Sequence, residues 1–370
     1  MNYINLLSEN SYKESVWYKR IRSGIVSKTN HRRDVILDLS PEDIAGMEKN
    51  SVLLIVGFSQ RFLSEAVDLC FAHGVRPLIV GSALTHSADQ HISFVAIKRE
   101  AAMYENVANL FNSGCKRVAM MGVNPQVSTD VSHKEGYVQA VTEHGCTDYE
   151  KDIFYNTLGI NKAIDSFIEV RENYDAVVCN NDFVAVLLLS RLNELGVKIP
   201  EEISVTGAGN MDFCEWTEPS LTSISIPLES AGKSAVVLYR ILLENPELDS
   251  LSSSFDHNII YRNSTKASEQ SRITIRVSHH DFSPLLDADY ENDMRRVWAV
   301  ADTYSTADET DRRILRGILD NISNSGLAEK NYISESTLHY RLNKLYKSTG
   351  VSGKSELKTL LKKYFPHYNC

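Results

Sequence analysis

Each residue set in this chain that could support catalysis lacks a necessary member. Gly57-Phe58-Ser59-Gln60-Arg61 begins like the sharp turn that exposes a nucleophilic serine, but the second glycine is missing. Gly207-Ala208-Gly209 is too short for a dinucleotide-binding turn, and the full G-x-x-x-x-G-K-[ST] phosphate-cradling loop does not occur. His279 and His280 are adjacent rather than metal-spaced and read as the end of a strand. The six cysteines (Cys70, Cys115, Cys146, Cys179, Cys214 and Cys370) are scattered, without a CxxC pair. Five of them lie in or beside apolar segments and read as small core residues of a protein kept in a reducing compartment. With no acid/base pair, the chain reads as a non-enzyme that needs neither cofactor nor metal.

The distribution of charge says more than its sum. The 370 residues carry a net charge of -9. From Lys330 to Cys370, however, there are eight basic and two acidic residues, against 31 basic and 46 acidic in the remainder. A basic end on an acidic body is the asymmetry of an appended nucleic-acid-binding module.

The elements that must position such groups can be read from periodicity. Strand-like runs at Ile4–Leu7, Val35–Leu39, 51–56, Pro77–Val80, Ile92–Ile97, Arg117–Met121, Ala176–Cys179 and Ile203–Thr206 alternate with helix-like segments at 12–28, 61–73, 99–113, 133–144, 183–195 and 228–243. Gly74, Gly114, Gly145 and Gly196 stop helices, as residues free to adopt a left-handed cap do. Continuous apolar strands alternating with helices imply parallel sheets covered on both faces. The strands are too many for one small sheet, so two doubly wound α/β lobes are expected, with a ligand crevice at the carboxyl ends of their strands.

Beyond Ser264 the pattern changes. Residues 250–254 are a polar loop, 265–272 are linker-like, and 273–277 could form a lone strand. A helix over 286–301 places Leu286, Tyr290, Met294, Val297, Trp298 and Ala301 on one face, suited to connecting or dimerising. From Thr306 the pattern is all helical. The expected domains are 1–265, a two-lobed sensor; 266–304, a linker with the connecting helix; and 305–370, an all-α DNA-binding unit. The N-terminus lacks a basic leader, and no apolar run approaches the roughly 18 residues of a membrane helix, which implies a cytoplasmic protein with no membrane partner.

Residues 175–227 resemble the effector domain of the lactose-repressor family, a fold of the type I periplasmic-binding-protein kind. The resemblance is carried by Asn181-Asp182 after a strand, by Gly196-Val197-Lys198-Ile199-Pro200, by Ile203-Ser204-Val205 leading to Gly207, and by Pro219-Ser220-Leu221-Thr222-Ser223-Ile224. Gly114-Cys115-Lys116-Arg117-Val118-Ala119, Gly136-Tyr137 and Tyr261-Arg262-Asn263-Ser264-Thr265 extend it over roughly 3–265. It implies a small-molecule effector held between the lobes. Asp182 is expected to cap the helix that begins there. Asn181 would face the cleft, where its amide can both donate and accept. Tyr12, Trp17 and Phe58, near the ends of the first and third strands, are candidates for an aromatic lining. Three family positions differ. His133 replaces an arginine that faces the ligand, Gly209 replaces the first of two acids and is followed by Asn210, and Ile226 replaces a polar residue. These changes imply a ligand less polar than a sugar, or none. The family's N-terminal DNA-binding headpiece is missing from this sequence, so DNA binding is expected elsewhere.

Residues 308–365 resemble the LuxR-type helix-turn-helix. Leu327-Ala328, Ile333-Ser334-Glu335-Ser336-Thr337-Leu338 and Gly350-Val351-Ser352 carry that resemblance, and Lys354 falls on its usual basic position. Ser334 is a good N-cap for a helix over 335–347. Leu338, Leu342 and Leu345 form its buried stripe at i, i+4 and i+7. The resemblance makes this the recognition helix. His339, Tyr340, Arg341, Asn343, Lys344 and Lys347 would then face the major groove, with Ser336 and Thr337 on phosphates. The chain thus reads as a homodimeric regulator that binds double-stranded DNA and a small-molecule effector. The alternative is a ligand-binding module whose C-terminal helices dock a protein partner.

Overall fold

The computed structural model describes residues 2–30, 33–81, 91–266 and 292–367. The first lobe opens with β1 (Asn2–Ser8), α1 (Val16–Lys28), β2 (Asp34–Leu39), β3 (Val52–Val56), α2 (Gln60–His73), β4 (Arg76–Val80) and β5 (Ser93–Ile97). The chain then crosses to a second lobe. This is built from α3 (Arg99–Asn112), β6 (Val118–Val123), α4 (Ser128–Glu143), β7 (Ile153–Tyr155), α5 (Ile160–Ile168), β8 (Ala176–Cys179), α6 (Asp182–Glu194), β9 (Ser204–Gly209) and β10 (Thr222–Ser225). It returns to the first lobe for α7 (Leu228–Glu244) and the edge strand β11 (Ser252–Phe255), and crosses a third time for β12 (Asn258–Ile260). Each lobe is a six-stranded sheet, ordered β11-β5-β4-β3-β1-β2 and β12-β10-β9-β8-β6-β7. All pairings are parallel except β10 with β12.

The central strands are apolar throughout because helices cover both faces: every residue of β3, β6 and β8 is buried. Ser59 caps α2 through its hydroxyl, and Gly74 ends it at φ 69°. Helices α1 and α7 cross at glycines. A Cβ on Gly24 would overlap the Glu229 carbonyl, and one on Gly232 the Ile21 carbonyl. Cys70, Cys115, Cys179 and Cys214 are buried, and burial pushes the Cys70 thiol up to about 12. These four are core thiols, as expected, whereas Cys146 is only half-buried; Cys370 lies outside the described residues.

The structure adds to and corrects the expected elements. Helix α5 was not anticipated, although Ile160, Ala163, Ile164 and Phe167 give it a buried stripe at helical spacing. Helix α4 starts at Ser128, five residues before the expected 133. The polar stretch 250–254 is not simply a loop, because Ser252–Phe255 form β11, which among the described residues pairs with β5 alone. An edge strand needs no continuous apolar run, so its serines disguised it. The lone strand at 273–277, the His279-His280 pair and the first turns of the helix at 286–301 lie outside the described residues.

Five helices close the described chain: α8 (Asn292–Thr306), α9 (Glu309–Leu319), α10 (Asn324–Lys330), α11 (Glu335–Thr349) and α12 (Lys354–Tyr364). Asp308, Ser323 and Ser334 cap α9, α10 and α11 through their side chains. Leu338, Leu342 and Leu345 are buried, as the stripe on α11 predicts. These helices share a core with the second lobe, where α8 and α12 pack on α6. Phe365 is fully buried there against Phe213, Trp216 and Tyr304, with ring centroids 5.7 to 6.1 Å away. Lys363 pairs with Glu194 at 2.9 Å on the rim of this contact. Among the described residues, no helix is long and apolar enough to cross a membrane.

Candidate functional site

Parallel strands deliver their carboxyl ends to one edge of a sheet, and the two lobes face each other along those edges. The result is a cleft of about 860 Å³ lined from both lobes. From the first lobe come Glu9, Tyr12, Trp17, Phe58 and Ser59, and from the second Asn124 to Val127, Asp130, His133, Asn156 to Gly159, Asn180 and Asn181. Arg99, at the first crossing, and Ile226, at the second, lie between them. The lobes also touch above the cleft, where Ser128 donates its backbone N–H to the Phe58 carbonyl at 2.9 Å.

Five of the six expected effector-binding residues meet here: Asn181, His133, Tyr12, Trp17 and Phe58. Tyr12 and Phe58 stand side by side, ring centroids 5.1 Å apart at 41°. Burial pushes the Tyr12 phenol up to about 12, so it is a neutral wall. Asn210 does not line the cleft. It sits at φ 46° beside Gly209, and its amide oxygen accepts from Arg262 at 2.8 Å. The helix cap is also reassigned. Asn181 caps α6, its Oδ1 accepting from the Val184 N–H at 3.0 Å. Asp182 is fully buried and turns the other way, accepting from the Met211 N–H at 2.8 Å and the Ser223 hydroxyl at 2.5 Å. It ties α6 to the turn after β9 and to β10.

Four polar residues that periodicity did not single out complete the site. Glu9 accepts from the Phe58 and Ser59 N–H groups at 2.9 and 3.1 Å, closing the N-terminus of α2. Arg99 is buried and donates to the Gly81 carbonyl, and burial lowers its pKa from the ordinary value. Asp130 accepts from the Asn124 N–H at 2.9 Å, and burial raises its carboxyl to about 6. Asn180 bonds His133 at 2.9 Å. Burial, aided by the charge of Arg99, lowers His133 to about 4. Only an apolar strand followed by Asn-Asn-Asp hinted at Asn180. Glu9, Arg99 and Asp130 gave no local signal, because chain crossings bring them together.

The second candidate surface is the outer face of α11. Ser336, Thr337, His339, Tyr340, Asn343, Lys344 and Lys347 are exposed there, Tyr340 to 72%. Two expected members are held elsewhere. Arg341 donates to Asp308 at 2.8 Å and to the buried Asp311 at 2.7 Å, clamping α11 to α9. Lys354 donates to the Ile322 carbonyl at 2.6 Å and to Asn324 at 2.8 Å, closing the ends of α9 and α10. Tyr332, 94% exposed at φ 54°, stands in the turn between α10 and α11 and was not anticipated.

Aromatic contacts lead from the cleft to the residue that ends α12. Trp17, on the cleft wall, lies 5.9 Å from Phe183, Phe183 lies 5.0 Å from Phe213, and Phe213 lies 5.7 Å from Phe365. A series of edge-on and tilted ring contacts therefore runs from the cleft to the C-terminal helices.

Comparison with known proteins agrees with this architecture. Residues 107–265 match the periplasmic binding protein-like domain family. The repressor PurR of Vibrio atlanticus is 35% identical over 138 residues, covering 36% of this chain and 40% of PurR. The repressor CytR of Escherichia coli is 27% identical over 176 residues, covering 47% of this chain and 52% of CytR. The chain thus spans about half the length, or less, of the curated relatives it matches. Among solved structures, a complex of the transcriptional regulator CelR with cellobiose superposes with a TM-score of 0.60 at 20% identity, over 71% of this chain and 84% of that one. The transcription regulator CcpA of Lactococcus lactis gives 0.58 at 21%, over 72% and 100%. The two lobes have the periplasmic-binding-protein-like fold.

Proposed function

We propose that the chain is a DNA-binding transcription regulator. Its two-lobed domain binds a small-molecule effector, and α10 and α11 form a helix-turn-helix at the C-terminal end. The observation that carries this reading is the face of α11. A capped helix, held from behind by three buried leucines and the Arg341 clamp, presents two lysines, an asparagine, a histidine and a tyrosine outward. Lysines and asparagine at this spacing suit phosphate contact and base-edge readout in a major groove. Ser336 and Thr337, in the first turn, suit phosphate oxygens.

Coupling follows from packing. A ligand between the lobes touches Trp17, and the ring contacts transmit a shift of that side chain to Phe365, where α12 docks. Lobe closure would then bias the position of α11 relative to the lobes. A homodimer would set the spacing of two such units. The test is selection of bound duplexes from a random pool by the full chain. An enriched sequence is expected, and enrichment should weaken in Asn343→Ala. Failure to enrich any sequence would overturn the reading in favour of helices that dock a protein.

A further inference from the structure

The ligand chemistry of the cleft can be deduced from one side chain. His133 is 4% exposed and lines the cleft. Its Nδ1 lies 2.9 Å from the Asn180 Oδ1. An amide oxygen only accepts. Nδ1 of His133 therefore carries the proton and donates it to Asn180. Burial and the positive charge of Arg99 keep the ring neutral, its pKa being about 4. Nε2 is then a bare lone pair, buried and with no hydrogen-bond partner. A buried acceptor left unpaired is costly, and a ligand that donates to it removes that cost.

We infer, building on the effector-binding reading above, that the cleft selects a ligand whose N–H or O–H donates to Nε2 of His133. Asn180 is the positioning residue that fixes the ring tautomer. Carboxylates and phosphates would set lone pair against lone pair at this point. Tyr12, Phe58 and Trp17 offer the same ligand an apolar face. Asn181 spends its oxygen on the Val184 N–H, which leaves its amide nitrogen to donate toward a ligand carbonyl or ring oxygen. Hydroxyls of a neutral sugar and the ring N–H of a neutral heterocycle share this chemistry.

The experiment uses the full chain and a small matched series: D-ribose, D-glucose, uracil, 1,3-dimethyluracil, benzoate and inorganic phosphate, followed by thermal shift and calorimetry. Binding by ribose or glucose identifies the hydroxyl source. Binding by uracil but not its dimethyl form identifies the N–H source. The compound that binds is expected to lose at least tenfold in affinity to His133→Leu, and to regain most of it in His133→Gln, which keeps an acceptor. The inference is overturned if only benzoate or phosphate binds, if no member binds, or if His133→Leu binds as tightly as the unaltered protein. Nitrogen-15 spectra of the unaltered protein test the tautomer without any substitution: a protonated Nδ1 and a bare Nε2 are expected, and a protonated Nε2 contradicts the inference. DNA affinity, measured separately on the same protein, keeps failure here distinct from failure of the regulator reading.

Discussion

The cleft and the outer face of α11 both present polar side chains, but they fix them in opposite ways. In the cleft, Arg99, Asp130, His133 and Asn180 are held by burial, and the loss of water shifts the protonation of Arg99, Asp130 and His133. On α11 the polar groups stand in solvent on a helix whose rigidity comes from behind, from Leu338, Leu342, Leu345 and the Arg341 clamp. The first arrangement suits selection of a small molecule. The second suits a large, charged, hydrated partner. Substitutions should therefore act on stability and pH response in the first region, and on salt-dependent affinity in the second.

The largest effect is expected where the two regions are joined. Phe365→Ala empties a fully buried site between α12 and the second lobe. Thermal unfolding should show a loss of about 3–5 kcal/mol, with the C-terminal helices melting separately from the lobes. A single unchanged transition would deny the coupling.

Next is the pH response of the cleft. Folding depresses His133 from 6.5 to about 4 and raises Asp130 from 3.8 to about 6. His133 contributes stability that is present above 6.5 and lost as pH falls through 4. Asp130 contributes stability that is present below 3.8 and lost as pH rises through 6. The two slopes oppose each other, so the unaltered protein should vary little between pH 4 and 6.5. Asp130→Asn removes one of them, and stability should then rise by about 3 kcal/mol across that range. A flat profile in the variant would contradict the protonation states assigned to the cleft.

A smaller effect is expected at the clamp. Arg341→Ala leaves Asp311 buried with only Lys344, 3.7 Å away, to answer its charge. Chemical denaturation should show a loss of about 2 kcal/mol, below the range for a fully buried pair because Arg341 is partly exposed. A stability loss makes Arg341 a positioning residue; an effect on DNA affinity alone would return it to the reading face. The smallest effect on stability belongs to the face itself. Lys347→Ala should unfold within about 0.5 kcal/mol of the unaltered protein while weakening DNA binding at low salt.

The same contrast explains what the sequence disclosed. The apolar strands, their glycine-stopped helices and the leucine stripe of α11 are local periodicities, and they were legible. Helix α5 was equally periodic but short. Strand β11 was hidden by its serines. The aromatic wall and His133 were legible by type and position, whereas Glu9, Arg99, Asp130 and Asn180 become a site only through chain crossings between β5 and α3 and between the lobes. Arg341 and Lys354 show the converse limit. Their charge marked them for DNA, but a carboxylate on α9 and the end of α9 claimed them, and no helical wheel of α11 alone could register that.

DNA binding by α11 would rest on its exposed lysines. The most direct test is the affinity of the full chain for a DNA duplex between 50 and 200 mM salt, compared with a Lys344→Ala, Lys347→Ala double variant. Retention at low salt, a linear fall of log affinity with log salt, and a slope shallower by about 2 in the double variant are expected. No retention at 50 mM salt, or identical slopes for the two proteins, would contradict this role for the lysines.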